Sequence, residues 1–162
     1  MTEHPEAVVE EDVLVEHRTF LLLDPHLRTR QDPGDPPHHL ATATPGALWL
    51  HSGGTDHYAH VRVELWTTPP HAAVPGDAHA RTTLVVAGNK LCLATTINGP
   101  VLHLPASDNP DITAPTIRYL RLPHPGHYLA DITVRGHADA AELPEANWQH
   151  HVENWTIRLI SN

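Results

Sequence analysis

The last third of the chain alternates between apolar and polar side chains with a period of two residues. In residues 126–135 the apolar side chains occupy every second position, at Tyr128, Ala130, Ile132 and Val134. Residues 152–160 repeat the pattern with Trp155, Ile157 and Leu159. Such alternation is typical of β-strands in a sheet that buries one face and leaves the other in water. The two segments therefore predict a half-buried sheet, which constrains the fold more than any other part of the sequence does.

Other segments with strand character occur along the rest of the chain. They are residues 13–23, 47–51, 57–66, 81–86, 90–95, 101–104 and 116–122. Turn-forming residues separate these segments, and Ala87-Gly88-Asn89 predicts a hairpin turn. Residues 138–147 predict one helical turn at most, because Pro144 limits its length. Roughly eight short strands at this spacing predict an all-β fold, a two-sheet antiparallel β-sandwich with long loops rich in Pro and Asp.

The length of the chain fits one domain with its own core. It has 162 residues, and a chain of ~150 residues buries about two thirds of its unfolded surface. We predict an acidic disordered lead-in at residues 1–11 and a single β-sandwich domain at residues 12–162. No apolar run reaches the ~20 residues of a membrane helix, and the acidic N-terminus does not resemble a signal peptide. We therefore expect a cytoplasmic protein without membrane contact.

The net charge of −9, with histidines neutral, points to a partner of opposite sign. It argues against nucleic-acid binding, which needs a basic surface, and would steer a basic protein toward the chain. Acids recur in the loops 24–40 and 107–115, and the first exceeds the length of ~12 residues above which loops are uncommon unless they bind something or are mobile. We predict four partner-binding carboxylates in these loops: Asp32, Asp35, Asp108 and Asp111. The alternative is an acidic surface that only aids solubility.

Two tryptophans are further candidates for partner contact. Trp66 falls on the polar face of the strand 57–66, and Trp148 lies in a polar loop beside His150. Exposed tryptophans are enriched at binding hot spots. The alternative is that each indole ring packs over the edge of a loop.

Sixteen histidines raise the possibility of a metal site. Zinc needs three or four ligands at ~2.0–2.2 Å. His57 and His60 are three residues apart on a strand, so they point to opposite faces unless a bulge intervenes, and the adjacent His150 and His151 pose the same difficulty. The candidates from neighbouring strands are His51, His60, His103 and His127. The alternative is that the histidines are spread over the surface by composition alone.

No residue is identified as catalytic, and no cofactor is expected. Ser52 and the other serines lack the Gly-x-Ser-x-Gly setting of a hydrolase nucleophile. Gly53-Gly54 is not followed by the Lys-Ser/Thr pair of a phosphate-binding loop. The single cysteine, Cys92, excludes an internal disulfide and is interpreted as a small packed hydrophobic residue between Leu91 and Leu93.

Five segments, in their order along the chain, resemble a known family. They are Glu16-His17-Arg18-Thr19-Phe20, Gly46-Ala47-Leu48-Trp49-Leu50, the strand 61–65 with Trp66-Thr67-Thr68-Pro69-Pro70, the turn 122–128 and the final segment 153–160. This order is similar to that of the competence protein J family, and of uncharacterised actinobacterial relatives with the same strand start after a Leu-Pro turn. The resemblance covers most of residues 13–160. It implies a small β-sandwich that inhibits a partner DNA-entry nuclease.

Two functions therefore compete. The first is a non-catalytic protein-binding module, an inhibitor or immunity protein that covers a basic nuclease or toxin with acidic loops. The alternative is a metal-binding β-sandwich, with or without metal-dependent enzyme activity, that uses histidines from adjacent strands. The sequence leaves open the identity of the partner and the oligomeric state, including self-association through a flat sheet face.

Overall fold

A computed structural model of the chain describes residues 3–27, 32–34, 39–103 and 114–161. Within these ranges the chain forms thirteen strands and one short helix, α1 (His137–Ala141). The strands are β1 (Ala7–Val15), β2 (Thr19–Leu23), β3 (Ala41–Thr44), β4 (Ala47–His51), β5 (His57–Trp66), β6 (Ala78–Val86), β7 (Lys90–Thr95), β8 (Gly99–Pro100), β9 (Leu102–His103), β10 (Thr116–Ile117), β11 (Leu120–Arg121), β12 (Gly126–Arg135) and β13 (His150–Ser161). The described residues contain no helix with the length and apolarity required to cross a membrane.

Most of the strands form two sheets, and the predicted all-β sandwich is confirmed. Sheet 1 has the order β1-β5-β13-β12-β6, and sheet 2 has the order β11-β7-β2-β4-β3 with β8 paired to β7. The strands β9 and β10 form a separate pair. Neighbours are antiparallel except β5 and β13, which run parallel at the centre of sheet 1. Parallel neighbours need a crossover connection rather than a tight turn, and here the chain between them passes through both sheets.

The main core lies between the two sheets and is built by the alternating side chains. Ile132 and Ile157 from sheet 1 are fully buried in the same cluster as Leu22 and Leu50 from sheet 2. The rings of Phe20 on β2 and Trp155 on β13 meet edge to face, with centroids 5.1 Å apart. An aromatic pair of this geometry adds about 0.5–1.5 kcal/mol beyond the burial of its area, so the contact helps to fix one sheet on the other.

Sheet 2 is also buried on its outer face by a second, smaller core. This cluster contains Leu21, Leu23, Ala47, Trp49, Cys92 and Ala94, and it is covered by Leu27, Ile117 and Tyr119. Burial on both faces explains why β2, β4 and β7 are almost continuously apolar rather than alternating. Cys92 is packed in this cluster, as predicted, and burial raises the pKa of its thiol to about 11.

The acidic N-terminal segment is a strand, so the prediction of a disordered lead-in is wrong for residues 7–11. β1 pairs with β5 along its whole length. Val9 and Val13 face the core, whereas Glu10 and Asp12 face outward. The outward carboxylates contact Arg62 and His60 on the neighbouring strand. Acidic side chains on one face are therefore compatible with a buried opposite face.

The segment predicted as one strand at residues 13–23 is two strands in different sheets. β1 belongs to sheet 1 and β2 to sheet 2, and the chain passes between them in a turn at residues 16–18. His17 and Arg18 adopt left-handed backbone angles, with φ of 52° and 60°. Such angles are uncommon for residues other than glycine, which is why the sequence did not reveal the turn.

Two other local predictions need correction. The segment 87–89 is not a hairpin turn, because β6 lies in sheet 1 and β7 in sheet 2. The predicted strand at residues 116–122 is two short strands, β10 and β11, that pair with different partners. β3 was not predicted, since Ala41-Thr42-Ala43-Thr44 contains no large apolar residue.

Asp77 holds the start of α1 from a distant loop. Its carboxylate accepts hydrogen bonds from the backbone N–H groups of Ala138 at 2.9 Å, His137 at 3.2 Å and Gly136 at 2.8 Å. These hydrogen bonds, that of Ala138 foremost, hold the pKa of the Asp77 carboxyl below its ordinary value. The side chain thus satisfies three N–H groups that a helix of this length leaves free.

The lowered pKa predicts an acid-sensitive contribution to stability. We expect Asp77→Ala to lower the free energy of unfolding at pH 7 by about 1 kcal/mol or less, the scale of an exposed helix cap. Because the folded pKa is depressed, this contribution is present above the ordinary carboxyl pKa of ~3.9 and is lost as pH falls through the folded pKa. Urea unfolding at a series of pH values measures the difference, with Asp32→Ala as the exposed control. A difference that stays constant down to acid pH would contradict this role.

Candidate functional site

Two neighbouring depressions open on the surface and share His17 in their linings. The larger, the histidine cleft, has a volume of about 750 Å³. Its polar lining is His17, Arg18, Thr19, His39, His51, Ser52, His79, Arg81 and His137. The described residues of this lining include two arginines and no carboxylate, although the protein as a whole is acidic.

The smaller depression, the Trp148 surface, combines apolar and acidic side chains. It has a volume of about 390 Å³ and is lined by Leu14, Glu16, His17, Thr55, Asp56, Ile97, Glu145 and Trp148. Trp148 is 52% exposed and Ile97 is 64% exposed. Large apolar side chains that stay in water beside carboxylates are more typical of a binding surface than of a monomer's ordinary exterior.

The loop that carries Trp148 is held in a strained conformation by hydrogen bonds. Asp56, Ala146 and Trp148 have left-handed backbone angles, with φ of 54°, 53° and 54°. The Asp56 carboxylate accepts the N–H of Ala146 at 2.9 Å, and its backbone carbonyl accepts the N–H of Trp148 at 2.8 Å. The side-chain amide of Asn147 donates to the carbonyl of Thr55 at 3.1 Å. Strained residues of this kind persist only where the surroundings fix them, so the indole is presented on a rigid loop.

A buried polar network underlies the histidine cleft and is centred on Glu153 of β13. Glu153 is 0% exposed. Its carboxylate accepts hydrogen bonds from the backbone N–H of Gly53 at 3.1 Å, from His137 Nδ1 at 2.9 Å and from the Ser52 hydroxyl. His57 is also fully buried, and its Nε2 lies 2.9 Å from Ser52 Oγ and 3.4 Å from Glu153. The network joins β13, α1 and the turn after β4.

The network differs from a hydrolase triad in how its members connect. In a triad, histidine links serine and carboxylate through its two different ring nitrogens. Here Ser52 and Glu153 both approach the same ring nitrogen of His57, Nε2. The other ring nitrogen, Nδ1, has no hydrogen-bond partner among the described residues. The Ser52 hydroxyl donates to Glu153 and accepts the N–H of Gly54 at 3.1 Å. Its hydrogen-bonding capacity is used structurally, and the arrangement does not activate it as a nucleophile.

The two histidines of the network are shifted in opposite directions. The hydrogen bond to Glu153 raises the pKa of His137, against the smaller effect of burial. Burial lowers the pKa of His57, so this ring is neutral at pH 7. The environment therefore favours protonation of His137 at the rim of the cleft and disfavours protonation of His57 in the interior.

Trp66 is not exposed, so the expectation that it is available to a partner is wrong. Trp66 lies on the outer face of sheet 1 beside Glu64, as the alternation predicted. The residue is nevertheless only 8% exposed. Its Nε1 donates to Glu64 at 2.7 Å, and the guanidinium of Arg158 lies over the indole ring. Arg158 also donates to the carbonyl of Ala72 at 2.6 Å, which holds the loop after β5 against this face.

The structure places the other predicted partner-binding residues as follows. Trp148 is exposed and lies in the surface described above. Asp32 is exposed, and its Oδ1 accepts the N–H of Gly34 at 2.9 Å. Asp35, Asp108 and Asp111 lie outside the described residues.

The four histidines considered as metal ligands do not form one cluster. His51 contacts Thr42 and Thr19, His103 contacts the buried Glu11, and His60 contacts Asp12. His127 is exposed on β12. The four histidines lie on β4, β5, β9 and β12, which belong to three different sheets. The sequence-based assumption that these strands are neighbours was therefore wrong, and the four side chains do not come together.

The described residues contain one group with metal-ligand spacing, formed by Asp12, His150 and His151. The sequence did not indicate it, because adjacent residues on a regular strand point to opposite faces. Only His60, which contacts the same aspartate, was among the candidates.

Comparison with known proteins identifies relatives at the level of the fold. No protein-family model matches the chain, and no curated protein sequence matches it. A solved structure with the same fold is that of ComJ, inhibitor of the DNA degrading activity of NucA, from Bacillus subtilis. It has a TM-score of 0.56 and 11% identity, over 95% of this chain and 96% of that one. A second, titled Crocagin biosynthetic gene J, has a TM-score of 0.53 and 18% identity, over 94% and 96% of the two chains. The likeness confirms the fold that the resemblance to the competence protein J family implied.

Proposed function

We propose that this protein is a non-catalytic inhibitor that binds a nuclease, and that the Trp148 surface is the centre of the contact. The fold shared with ComJ, an inhibitor of a DNA-degrading nuclease, supports this class of function. The observation that carries the proposal is the exposed indole of Trp148 on a strained, hydrogen-bonded loop with carboxylates beside it.

The apolar part of the surface supplies the binding energy. Tryptophan is among the residues most enriched at hot spots, which lie in the middle of an interface where water is excluded. Ile97 and Leu14 line the same depression and extend the apolar area around the indole. Because the backbone of Asp56, Ala146 and Trp148 is already fixed, little conformational entropy is lost when a partner covers it.

The acidic part of the surface supplies complementarity to a basic partner. Glu16, Asp56 and Glu145 line the depression beside Trp148. Glu16 Oε1 accepts the side-chain amide of Asn98 at 3.2 Å, whereas its Oε2 is buried without a hydrogen-bond partner within the described residues. A nuclease binds DNA phosphates through basic side chains, so carboxylates at its cleft occupy the place of phosphates. Inhibition is then both steric and electrostatic.

The acidic loops extend the proposed contact beyond the Trp148 surface. Asp32 is exposed and available. We place Asp35, Asp108 and Asp111 in the same role on the basis of their sequence. Together these carboxylates contribute to the net charge of −9, which accelerates association with a basic protein at low ionic strength.

Trp148→Asn tests the centre of the contact. Asparagine tolerates the left-handed backbone angle of this position better than most residues do, so the loop is retained while the indole is removed. We expect the untagged wild-type protein to capture a nuclease from its native host and to inhibit its degradation of DNA. We expect the variant to bind that nuclease at least ~30-fold more weakly, which corresponds to about 2 kcal/mol or more. Calorimetric titration measures the affinity, and a DNA-degradation assay measures the inhibition.

Val85→Ala is the matched control, because Val85 is an exposed apolar residue on β6 outside the Trp148 surface. It should leave the affinity unchanged. Raising the salt concentration should weaken binding by the wild type. The proposal fails if the captured partners include no nuclease. The assignment of the surface fails if Trp148→Asn inhibits as well as the wild type does.

A further inference from the structure

An irregularity in the central strand pair brings two adjacent histidines to one side of sheet 1. The parallel register of β13 with β5 shifts between His150 and Asn154, so that four steps along β13 match two along β5. His151 lies within this bulge and has a left-handed φ of 60°. A bulge of this kind re-aims side chains that would otherwise alternate. As a result His150 and His151 both contact Asp12, which projects from β1.

The three side chains are arranged around a common point. His151 Nε2 lies 2.7 Å from Asp12 Oδ1, and His150 Nδ1 lies 3.7 Å from Asp12 Oδ2. One ligand atom from each of the three residues lies within 4.8 Å of the other two. Atoms this close need only small rotations of their side chains to reach one ion at ~2.0–2.2 Å.

Two neighbouring side chains hold these ligands in place. His60 Nδ1 contacts Asp12 Oδ1 at 3.0 Å, and its Nε2 lies 3.5 Å from Glu10. The ring of Tyr58 stacks on His150, with centroids 4.3 Å apart and planes 11° from parallel. Hydrogen-bonded and stacked neighbours of this kind orient the ligands of metal sites.

We propose that Asp12, His150 and His151 bind a divalent transition-metal ion of the zinc type on the outer face of sheet 1. Imidazole nitrogen and carboxylate oxygen are ligands that zinc accepts, whereas magnesium and calcium prefer oxygen alone. Three protein ligands leave a fourth position for water or for a ligand from outside. His60 and Glu10 act as positioning residues through the Asp12 carboxylate and the His60 ring.

The site is separate from the histidine cleft. Three histidines of the cleft contact other residues. His137 contacts Glu153, His79 contacts Asp131 and His51 contacts Thr42. None of the three proposed ligands lines the cleft or the Trp148 surface. Zinc binding and nuclease inhibition are therefore independent claims with independent readouts.

Titration of untagged protein with zinc chloride tests the proposal. We expect one equivalent to bind ahead of any weaker binding by the remaining histidines. His151→Asn and Asp12→Asn should each weaken this first equivalent by at least about tenfold. Asparagine is chosen at position 151 because it tolerates the left-handed angle. His71→Asn is the control, since that ring is highly exposed and outside the cluster, and it should leave the first equivalent unchanged.

Circular dichroism shows whether each variant keeps the wild-type fold, and anomalous diffraction from zinc-soaked crystals locates the ion. If His151→Asn does not fold, Asp12→Asn and the anomalous map decide the question. The proposal is overturned if the wild type binds zinc no more tightly than Asp12→Asn does. It is also overturned if the anomalous peak lies away from Asp12, His150 and His151.

Discussion

Glu153→Ala is expected to lower the free energy of unfolding by about 3–5 kcal/mol, the range found when one member of a buried polar or ionic group is removed. Glu153 is fully buried and accepts hydrogen bonds from the turn after β4 and from α1. Without its carboxylate the N–H of Gly53 and the Ser52 hydroxyl lose their acceptor, and His137 loses its counter-charge. Chemical unfolding at pH 7 measures the loss. Glu6→Ala, at an exposed position, should change stability by no more than about 0.5 kcal/mol.

Glu153→Gln separates the charge of this residue from its shape. Glutamine keeps one acceptor oxygen, but its own N–H group points at one or more of the donors that the carboxylate accepts from. We therefore expect a smaller loss in the free energy of unfolding, about 1–3 kcal/mol. The pKa of His137, followed by NMR, should fall toward the ordinary value of ~6.5. Since the folded pKa is raised in the wild type, the charge interaction stabilises fully below ~6.5 and is lost as pH rises through the folded pKa. A stability difference that does not shrink at alkaline pH would contradict this account.

Asp24→Ala is the second substitution with a large expected effect. Asp24 is 1% exposed. Its carboxylate accepts the backbone N–H groups of Ala87 and Gly88, each at 3.0 Å, and that of His26 at 2.9 Å. It thereby ties the end of β2 to the connection between the two sheets. Loss of the acceptor leaves these N–H groups without a partner, at about 1–3 kcal/mol for each buried group. We expect a total loss of about 3–5 kcal/mol.

Asp32→Ala is the matched control for this substitution. Asp32 also accepts a backbone N–H, from Gly34, but it does so on the surface and within its own turn. Unfolding curves of the two variants under the same conditions should differ by several kilocalories per mole in their free energies. Equal stabilities would show that the three hydrogen bonds of Asp24 contribute little.

Alternation predicted the bounds of β5 and β12, and short apolar runs predicted those of β4 and β7, which are buried on both faces. β5 and β12 begin and end at the predicted residues, because alternation in Tyr128–Val134 and Ala59–Leu65 matches the period of a strand. The turn at His17 and Arg18 was missed because neither residue type signals a left-handed angle. The first part of β1, residues 7–11, was interpreted as disordered because the N-terminal segment is rich in acids and looks like a solvated tail. The side chains that accommodate these acids lie far along the chain, with Arg62 on β5 contacting Glu10 and His103 on β9 contacting Glu11.

The candidate sites were harder to predict, since they depend on what covers each face. Alternation placed Trp66 on the outer face correctly, but it could not show that Arg158 and the loop after β5 cover the ring. The exposure of Trp148 was predicted, because no apolar pattern surrounds it. The proximity of His150 and His151 to Asp12 depends on a bulge, and bulges follow from the register of the partner strand rather than from local residue types.

The position of β13 has a consequence for how the protein folds during synthesis. This strand lies between β5 and β12 at the centre of sheet 1, yet it is synthesised after the other strands that the structure describes. Until the ribosome releases it, β1–β5 and β12–β6 are two separate strand pairs with apolar faces and open edges. Pairings between residues ~90 positions apart slow folding and expose such edges to aggregation. We therefore expect nascent chains that stop before residue 150 to require chaperones, and chains that include β13 to acquire protease resistance in a single step.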